Sequence, residues 1–466
     1  MNGRGAKRVR VVVLGAGYVG LATGVTFSYL GHDVVLVDIN PERVAAIVAA
    51  RSPILEPGLD DLLHLTVSSG RLTATTDPEA ALSGAEVVFI AVNTPPLPSG
   101  DADMSYVRAA ATGIGARVDP ARRMVVVNKS TVPIGSANLV KSWVEDGYRA
   151  AHGGRSPNGA FTVASNPEFL REGQALSDSF YPSRIVLGTD VAWAMATLEQ
   201  LYEPLIAQKF PPPNSLPRPD RLTIPIPLAR VDRVSAEMVK YAANAFLATK
   251  ISFANEMAAV CERVGADVTK VMAAVGQDER IGPQFLEAGV GWGGSCFGKD
   301  LSALIQTARE YGLEPAIAQA AVEVNQRQRR WLVQKLQATL KTIKGRRVAV
   351  LGLTFKPGTD DLRDSPAEAV IAELCRLGAR VVAHDPVATS LAAQAWSYPV
   401  EYVSRVEEAL AGAEALLLVT GWPEYHALDW PAVRAEMDRA LVLDGRNLWD
   451  PDALRQLGLE YYSVGR

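Results

Sequence analysis

The sequence predicts an α/β protein with two doubly wound parallel-sheet domains joined by a central helical region. Three observations carry that prediction. A β-branched run near the start leads through a glycine-rich turn into a helical stretch and a second strand. The same outline returns near residue 346, and between the two copies lie long helical patterns with few strand signals.

The elements follow in order. Residues 8–14 (RVRVVVL) read as a strand, Gly15-Ala-Gly17-Tyr18-Val19-Gly20 as a turn opening a helix that runs to Gly31, and the next apolar run ends at Asp38. Runs EVVFIAV (86–92), RMVVVNKS (123–130) and RIVLGT (184–189) extend a mostly parallel sheet. The stretch KFPPPNSLPRPDRLTIPIP (209–227) admits neither regular helix nor central strand, because proline lacks an N–H and fixes φ. It marks a connection. After it, SAEMVKYAANAFLATKISFANEMAAVCERVG (235–265) is helical. The second copy comprises RRVAVLG (346–352), SPAEAVIAELCRLG (365–378) and ARVVAHDP (379–386), with EALLLVT and ALVLDGR beyond it. At 466 residues more than one core is required, and the expected division is 1–208, a connection 209–231, a helical region 232–342 and a second α/β domain 343–466.

Composition excludes several classes. With 47 Lys and Arg against 51 Asp and Glu, and no basic block beyond a short N-terminal GRGAKRVR, no nucleic-acid footprint is present. Three cysteines make no disulfide framework, which suits a reducing cytoplasm, and five scattered histidines suggest no metal site. No apolar run of about 18 residues and no leader pattern occur, so the chain is expected to be unprocessed and away from the membrane.

The first turn carries chemistry. Gly15 allows a tight turn, Gly17 lets the backbone approach a pyrophosphate, and Gly20 permits close helix packing. The helix N-terminus attracts phosphate charge, and Asp38, 18 residues after Gly20, stands where a ribose-binding carboxylate is needed. NAD is therefore the expected cofactor, and both domains are expected to be Rossmann-like. The second copy keeps Gly352 but continues LTFKPGTDD without the later glycines, so a dinucleotide is not expected there in the same way.

Cys261 and Cys375 fall in apolar helical patterns and read as inert core. Cys296, in GVGWGGSCFGKD (289–300), has no apolar periodicity around it; a helix is expected from Asp300, with Lys299 adjacent, and both features favour thiolate. A thiolate beside an NAD site points to oxidation that continues past an aldehyde. Lys240 and Asn244 lie one helical turn apart and read either as joint oxyanion donors or as a solvated face. Glu168, after Asn-Pro, reads as a general base or as a helix-start acid, and Asp300 as a helix N-cap or a site residue.

Taken together, VLGAGYVG, AVNTP (91–95), KSTVPIGS (129–136), SNPEFLREG (165–173), MVKYAANAFLATKISFANE (238–256), RIGPQFLEAGVGWGGSCFGKD (280–300) and FKPGTDDLRDSP (355–366) resemble the UDP-glucose/GDP-mannose dehydrogenase family. The likeness is greatest to its UDP-glucose branch and runs from about residue 8 to 455. It implies a NAD-dependent four-electron oxidation of UDP-glucose at C6 to UDP-glucuronate, with Cys296 carrying a thiohemiacetal and a thioester. By the same resemblance Glu168 and Thr131 assist water and proton transfer, Lys240 and Asn244 stabilise oxyanions, and Asp300 orients water or supports Lys240. The implied cofactor contacts are the first turn with Tyr18 and Val19, then Asp38, Arg43, Thr94, Glu172, Lys299 and Arg363. Substrate is implied to meet Phe169, Leu170 and Arg171, then Phe285 and the glycine segment through Gly289, Gly291 and Gly293, and finally Phe355, Lys356 and Arg446. Arg280 is implied to reach the substrate of a partner subunit, in a homodimer built through the central helices or a higher homo-oligomer. Gly298 stands where the family often has proline, which is expected to loosen the cysteine loop. GDP-mannose or a UDP-N-acetylhexosamine is the alternative substrate. A nucleotide-sugar-binding paralogue without turnover is the alternative of a different class, and a two-electron hydroxyacid dehydrogenase would need neither the cysteine nor a second nucleotide domain.

Overall fold

The structure is a computed structural model that describes residues 8–95, 97, 102–220 and 222–466; residues 3–7 of the basic stretch lie outside them. The chain divides into two compact units, Met1–Ala242 and Ala243–Arg466.

The first unit holds an eight-stranded sheet. Its strands are β1 (Arg10–Leu14), β2 (Asp33–Val37), β3 (Leu72–Thr75), β4 (Val87–Ile90), β5 (Met124–Asn128), β6 (Phe161–Ser165), β7 (Ile185–Gly188) and β8 (Leu228–Val231). They lie in the order β3-β2-β1-β4-β5-β6-β7-β8, all parallel except β6 with β7. Because side chains alternate across a strand, Val11 and Val13 of β1 enter one core while Val12 and Leu14 enter the other. A sheet buried on both faces needs such continuous apolar strands. Strand order reverses between β1 and β4, so the segments leaving those two strands flank the crevice where this architecture binds ligands. Among its described residues the Pro-rich stretch 209–227 holds no helix or strand, as its proline content requires, and β8 after it is the sheet edge.

The helix Arg233–Val264, 32 residues long, begins in the first unit and continues into the second. The second unit then adds further helices and a six-stranded, wholly parallel sheet: β9 (Arg347–Leu351), β10 (Arg380–His384), β11 (Val400–Tyr402), β12 (Ala415–Leu418), β13 (Leu441–Asp444) and β14 (Glu460–Ser463). Its order, β11-β10-β9-β12-β13-β14, repeats that of the first six strands of the other sheet. Both sheets are thus doubly wound, the first mostly and the second wholly parallel, in the way the sequence predicts. Among the described residues no helix is long and apolar enough to cross a membrane.

Candidate active site

The turn after β1 has the form a dinucleotide needs. Gly15 has φ +98°, and a Cβ there would lie 2.5 Å from the Ala91 carbonyl oxygen; a Cβ on Gly20 would lie 1.8 Å from that of Gly15. Gly17, by contrast, has nothing within 4 Å of a Cβ position, which leaves room for a pyrophosphate. It is also the N-cap of the helix Tyr18–Tyr29 and supplies no side-chain cap, and a helix N-terminus favours an anionic phosphate. Tyr18 and Val19, half-buried, form that first turn. Asp38 is buried and accepts hydrogen bonds from Ala16 N at 2.8 Å, Asn40 N at 2.9 Å and Arg43 Nη1 at 3.1 Å. Burial alone pushes its pKa up, but these donors and the Arg43 charge outweigh it and hold the carboxyl below its usual value. Thr94 donates to the Thr131 carbonyl at 2.8 Å, tying the segment after β4 to the one after β5.

The corresponding turn after β9 is filled by the protein itself. Asp385, the counterpart of Asp38, accepts from Leu353 N at 2.7 Å, Thr354 N at 3.2 Å and Trp422 Nε1 at 3.0 Å. A Cβ on Gly352 would lie 2.5 Å from Thr420. No pyrophosphate path opens there, in keeping with the missing glycines.

Also in the first unit is a buried cluster of charge. Glu168 lies on irregular backbone after β6 and is 7% exposed, so neither a helix-start position nor a solvated one describes it. Lys240, from the long helix, places Nζ 2.6 Å from Glu168 Oε1 and 2.9 Å from the Glu168 carbonyl. Leu170 N donates to the other carboxylate oxygen. Desolvation raises the Glu168 pKa, yet the Lys240 charge and hydrogen bond, the Leu170 N–H and the charge of Lys129 bring it below the usual value. Phe169 lies under the Arg184 guanidinium at 3.8 Å, while the exposed Arg171 is engaged by Asp178 at 2.7 Å. Glu172, half-buried, follows in the turn before the helix Ala175–Phe180.

Two residues without an assigned role in the sequence reading belong to this neighbourhood. Lys129 is buried at the end of β5 and donates to Asn166 Oδ1 at 2.9 Å. Glu237, one turn before Lys240, accepts from Gly135 N at 2.6 Å, Ala137 N at 2.9 Å and Ser165 Oγ at 3.2 Å. It caps the helix Ser136–Ala151, whose own N-cap is glycine, and so ties together KSTVPIGS, SNPEFLREG and the long helix. A lysine directly after a strand of four apolar residues and an asparagine, and a glutamate on the face of Lys240, were the available signals.

The second unit holds Asn244 and Cys296. The helix expected from Asp300 begins three residues earlier, as Phe297–Glu310, with Cys296 as its N-cap. The reason is packing: Phe297 meets Trp292 edge-on at 6.0 Å and joins the cluster of Ala248, Trp292 and Leu301. Asp300 is therefore not an N-cap. It is 2% exposed, its Oδ2 accepts from Asn244 Nδ2 at 2.6 Å, and Lys299 Nζ stands 3.0 Å from its Oδ1. Lys240 and Asn244 are 5% and 7% exposed, which removes the solvated reading of both. Cys296 is half-buried with the Ser295 hydroxyl 3.6 Å from Sγ. Gly298 sits inside the first turn of that helix, where its carbonyl accepts from Ser302, so this position is helical rather than loop. Cys261 is buried as expected; Cys375 is only half-buried, at the rim of its core, and burial pushes its thiol up.

The glycine segment ahead of Cys296 is held group by group. Gly289 N donates to Asn255 Oδ1 at 2.8 Å, Trp292 N donates to Asn325 Oδ1 at 2.8 Å, and Trp292 O accepts from Asn325 Nδ2 and Arg329. Gly291 takes φ +97°, and a Cβ on Gly293 would lie 2.3 Å from the Asp364 carbonyl. Arg446 donates to Val419 O at 2.6 Å and reaches Gly291 O at 3.2 Å; burial lowers its pKa to about 10, partly countered by Asp444. The Phe355 ring packs against Gly294, with Lys356 5.7 Å from the ring centre, and Phe285, at φ +63°, faces Phe297 at 6.4 Å. Arg280 is 88% exposed and pairs with Asp278, and Arg363 pairs with Asp361.

A dinucleotide turn on one doubly wound sheet, a self-filled turn on a second and a cysteine at a helix N-cap define the class of a nicotinamide-dependent dehydrogenase with two nucleotide domains. Known proteins agree along the whole chain. The UDP-glucose/GDP-mannose dehydrogenase family matches as its NAD binding domain over residues 9–206, its central domain over 234–327 and its UDP binding domain over 349–451. The chain is 42% identical over 457 residues to a UDP-glucose 6-dehydrogenase of Bacillus subtilis, covering 98% of this chain and 93% of that one. A solved UDP-glucose dehydrogenase from Pyrobaculum islandicum has 40% identity and a TM-score of 0.86, covering 99% and 98% of the two chains. A UDP-D-ManNAc dehydrogenase from Pyrococcus horikoshii has 27% identity and a TM-score of 0.82 over 98% and 99%. The protein belongs to the UDP-glucose/GDP-mannose dehydrogenase family, and its cofactor is NAD.

Proposed function

We propose that the protein oxidises UDP-glucose at C6 to UDP-glucuronate in two successive two-electron steps, through a thiohemiacetal and a thioester on Cys296. The observation that carries this reading is Cys296 at the N-cap of a helix whose fourth residue, Asp300, grips Asn244. A helix N-terminus favours thiolate, the form that attacks an aldehyde. The identity to UDP-glucose 6-dehydrogenases, against 27% to the UDP-D-ManNAc enzyme, supports the glucose branch.

NAD, when bound, supplies the two-electron acceptor for each oxidation. Asp38 with Arg43 and the Gly15–Gly20 turn hold it, with Thr94, Glu172, Lys299 and Arg363 as further contacts. In the first step the C6 hydroxyl proton leaves by Glu168 and Thr131, while the Lys240 ammonium and the Asn244 amide stabilise the oxyanion. Asp300 takes one N–H of Asn244 and so aims the other. The Cys296 thiolate then adds to the aldehyde carbon, and the second oxidation leaves a thioester. Glu168, its first proton released to solvent, deprotonates the water that cleaves the C–S bond, returning the thiolate and releasing the acid. The glycine segment, Phe285, Phe355, Lys356 and Arg446 hold the nucleotide sugar together with Phe169, Leu170 and Arg171. The test is stoichiometry: two NADH per UDP-glucose are expected, with acid as product and GDP-mannose inert. One NADH with free aldehyde would overturn the reading.

The same proposal includes a cytoplasmic location, the four-part division at 208, 231 and 342, and a homodimer through the central helices. Phe246, Phe253 and Val260, spaced by seven on the long helix, are 66%, 47% and 49% exposed, and Arg280 is free of its own unit's core. Sedimentation of the intact protein as a monomer at micromolar concentration would remove the dimer from the proposal.

A further inference from the structure

Lys129 ends a strand whose five residues are all buried, and it is 8% exposed itself. A lysine is rarely placed there without need, since desolvating an ammonium is costly. Its Nζ donates to Asn166 Oδ1 at 2.9 Å, and that oxygen also accepts from the Tyr202 hydroxyl. Asn166 is fixed further by its own N–H on Asn128 O and its Nδ2 on Val186 O, and it stands two residues before Glu168. The charged groups facing Lys129 are Glu168, from the loop after β6, and Lys240, from the long helix. The ring of Phe89 on β4 lies 5.9 Å away, and Tyr202, on the helix Ala192–Ala207, is kept neutral by burial. Glu237 is occupied by the helix that it caps.

We propose that Lys129 is a positioning residue for the reaction: through its hydrogen bond to Asn166, two residues before Glu168, and through its charge it sets the ionisation of Glu168. The inference rests on the role given to Glu168 above. Two cations around one carboxylate hold Glu168 ionised at lower pH than one would, leaving it ready as a base. Desolvation, aided by Lys240 and opposed by Glu168, lowers Lys129 to about 8, so this second cation is lost just above neutral pH.

Lys129→Gln keeps a donor for Asn166 and removes the charge, and Lys129→Met removes both. In both variants the acid limb of the kcat profile is expected to move up by about half a unit to one unit, with KM for NAD unchanged. An acid limb that stays in place in a folded Lys129→Gln protein would overturn the proposal. A second readout is independent of substrate. Because the folded pKa of Lys129 lies below its unfolded one, its contribution to stability is present above about pH 10.4 and is lost as pH falls through about 8. Wild-type thermal stability is therefore expected to rise relative to Lys129→Met across that window. A flat difference would sink the assigned ionisation. If wild-type protein does not turn over UDP-glucose at all, the parent reading fails, while the stability slope still tests the lysine.

Discussion

Cys296→Ser is expected to stop formation of UDP-glucuronate, with a loss in kcat on the order of 10⁴-fold or more, while UDP-glucose and NAD still bind. Serine is nearly isosteric, so the helix N-cap and the packing of Phe297 against Trp292 persist. What is lost is the nucleophile: a thiol ionises far more readily than a serine hydroxyl, and the thiolate is the stronger nucleophile. The measurement is NADH released per UDP-glucose, with product separated by anion exchange and binding followed by calorimetry. Acid formed at the wild-type rate would rule out the covalent route.

Lys240→Met carries the second large effect, and it acts on both stability and rate. The Lys240 and Glu168 side chains are 6% and 7% exposed and 2.6 Å apart, so removing the lysine leaves a buried carboxylate without its hydrogen-bonded counter-charge and with only Lys129 as a cation near it. Breaking such a pair costs about 3–5 kcal/mol. A fall in melting temperature of several degrees is expected, together with a loss in kcat of at least about 10²-fold from the missing oxyanion donor. The pH dependence has a definite sign. In the wild type the folded pKa of Glu168 lies below its unfolded value, so its contribution is present above about pH 4.3 and is lost as pH falls through the folded value. In the variant the lowering influence of Lys240 is gone, and Glu168 is expected to take up a proton at higher pH than in the wild type. Double substitution with Glu168→Gln should restore much of the stability but none of the activity. If Lys240→Met melts like wild type, the pair does not hold the site as described.

The nucleotide turn was legible in the sequence because its requirements are local. A left-handed φ at Gly15 and the contact of Gly20 with the Gly15 carbonyl leave no choice of residue, and the strand and helix around them announce themselves by period. The same holds for the absence of a second dinucleotide turn. What could not be read was burial. Lys240 and Asn244 fit a solvated helix face as well as an active site until the fold placed them at 5% and 7% exposure. The start of the cysteine helix was missed because glycine and lysine in its first turn carry no start signal; packing of Phe297 decides it.

By itself the sequence determined that the longest apolar runs become strands, where glycine is obligatory, and that two doubly wound sheets are separated along the chain by a helical region. Short strands such as Leu72–Thr75, Phe161–Ser165 and Leu228–Val231 carried too few residues to announce themselves. Tertiary structure alone decided the charges. Glu168 and Lys240 are 72 residues apart and Asn244 and Asp300 are 56 apart, and Lys129 acquires its partners only when β5, the loop after β6 and the long helix converge. Backbone preference is set by neighbours in the chain, whereas desolvation and Coulomb attraction depend on neighbours in space.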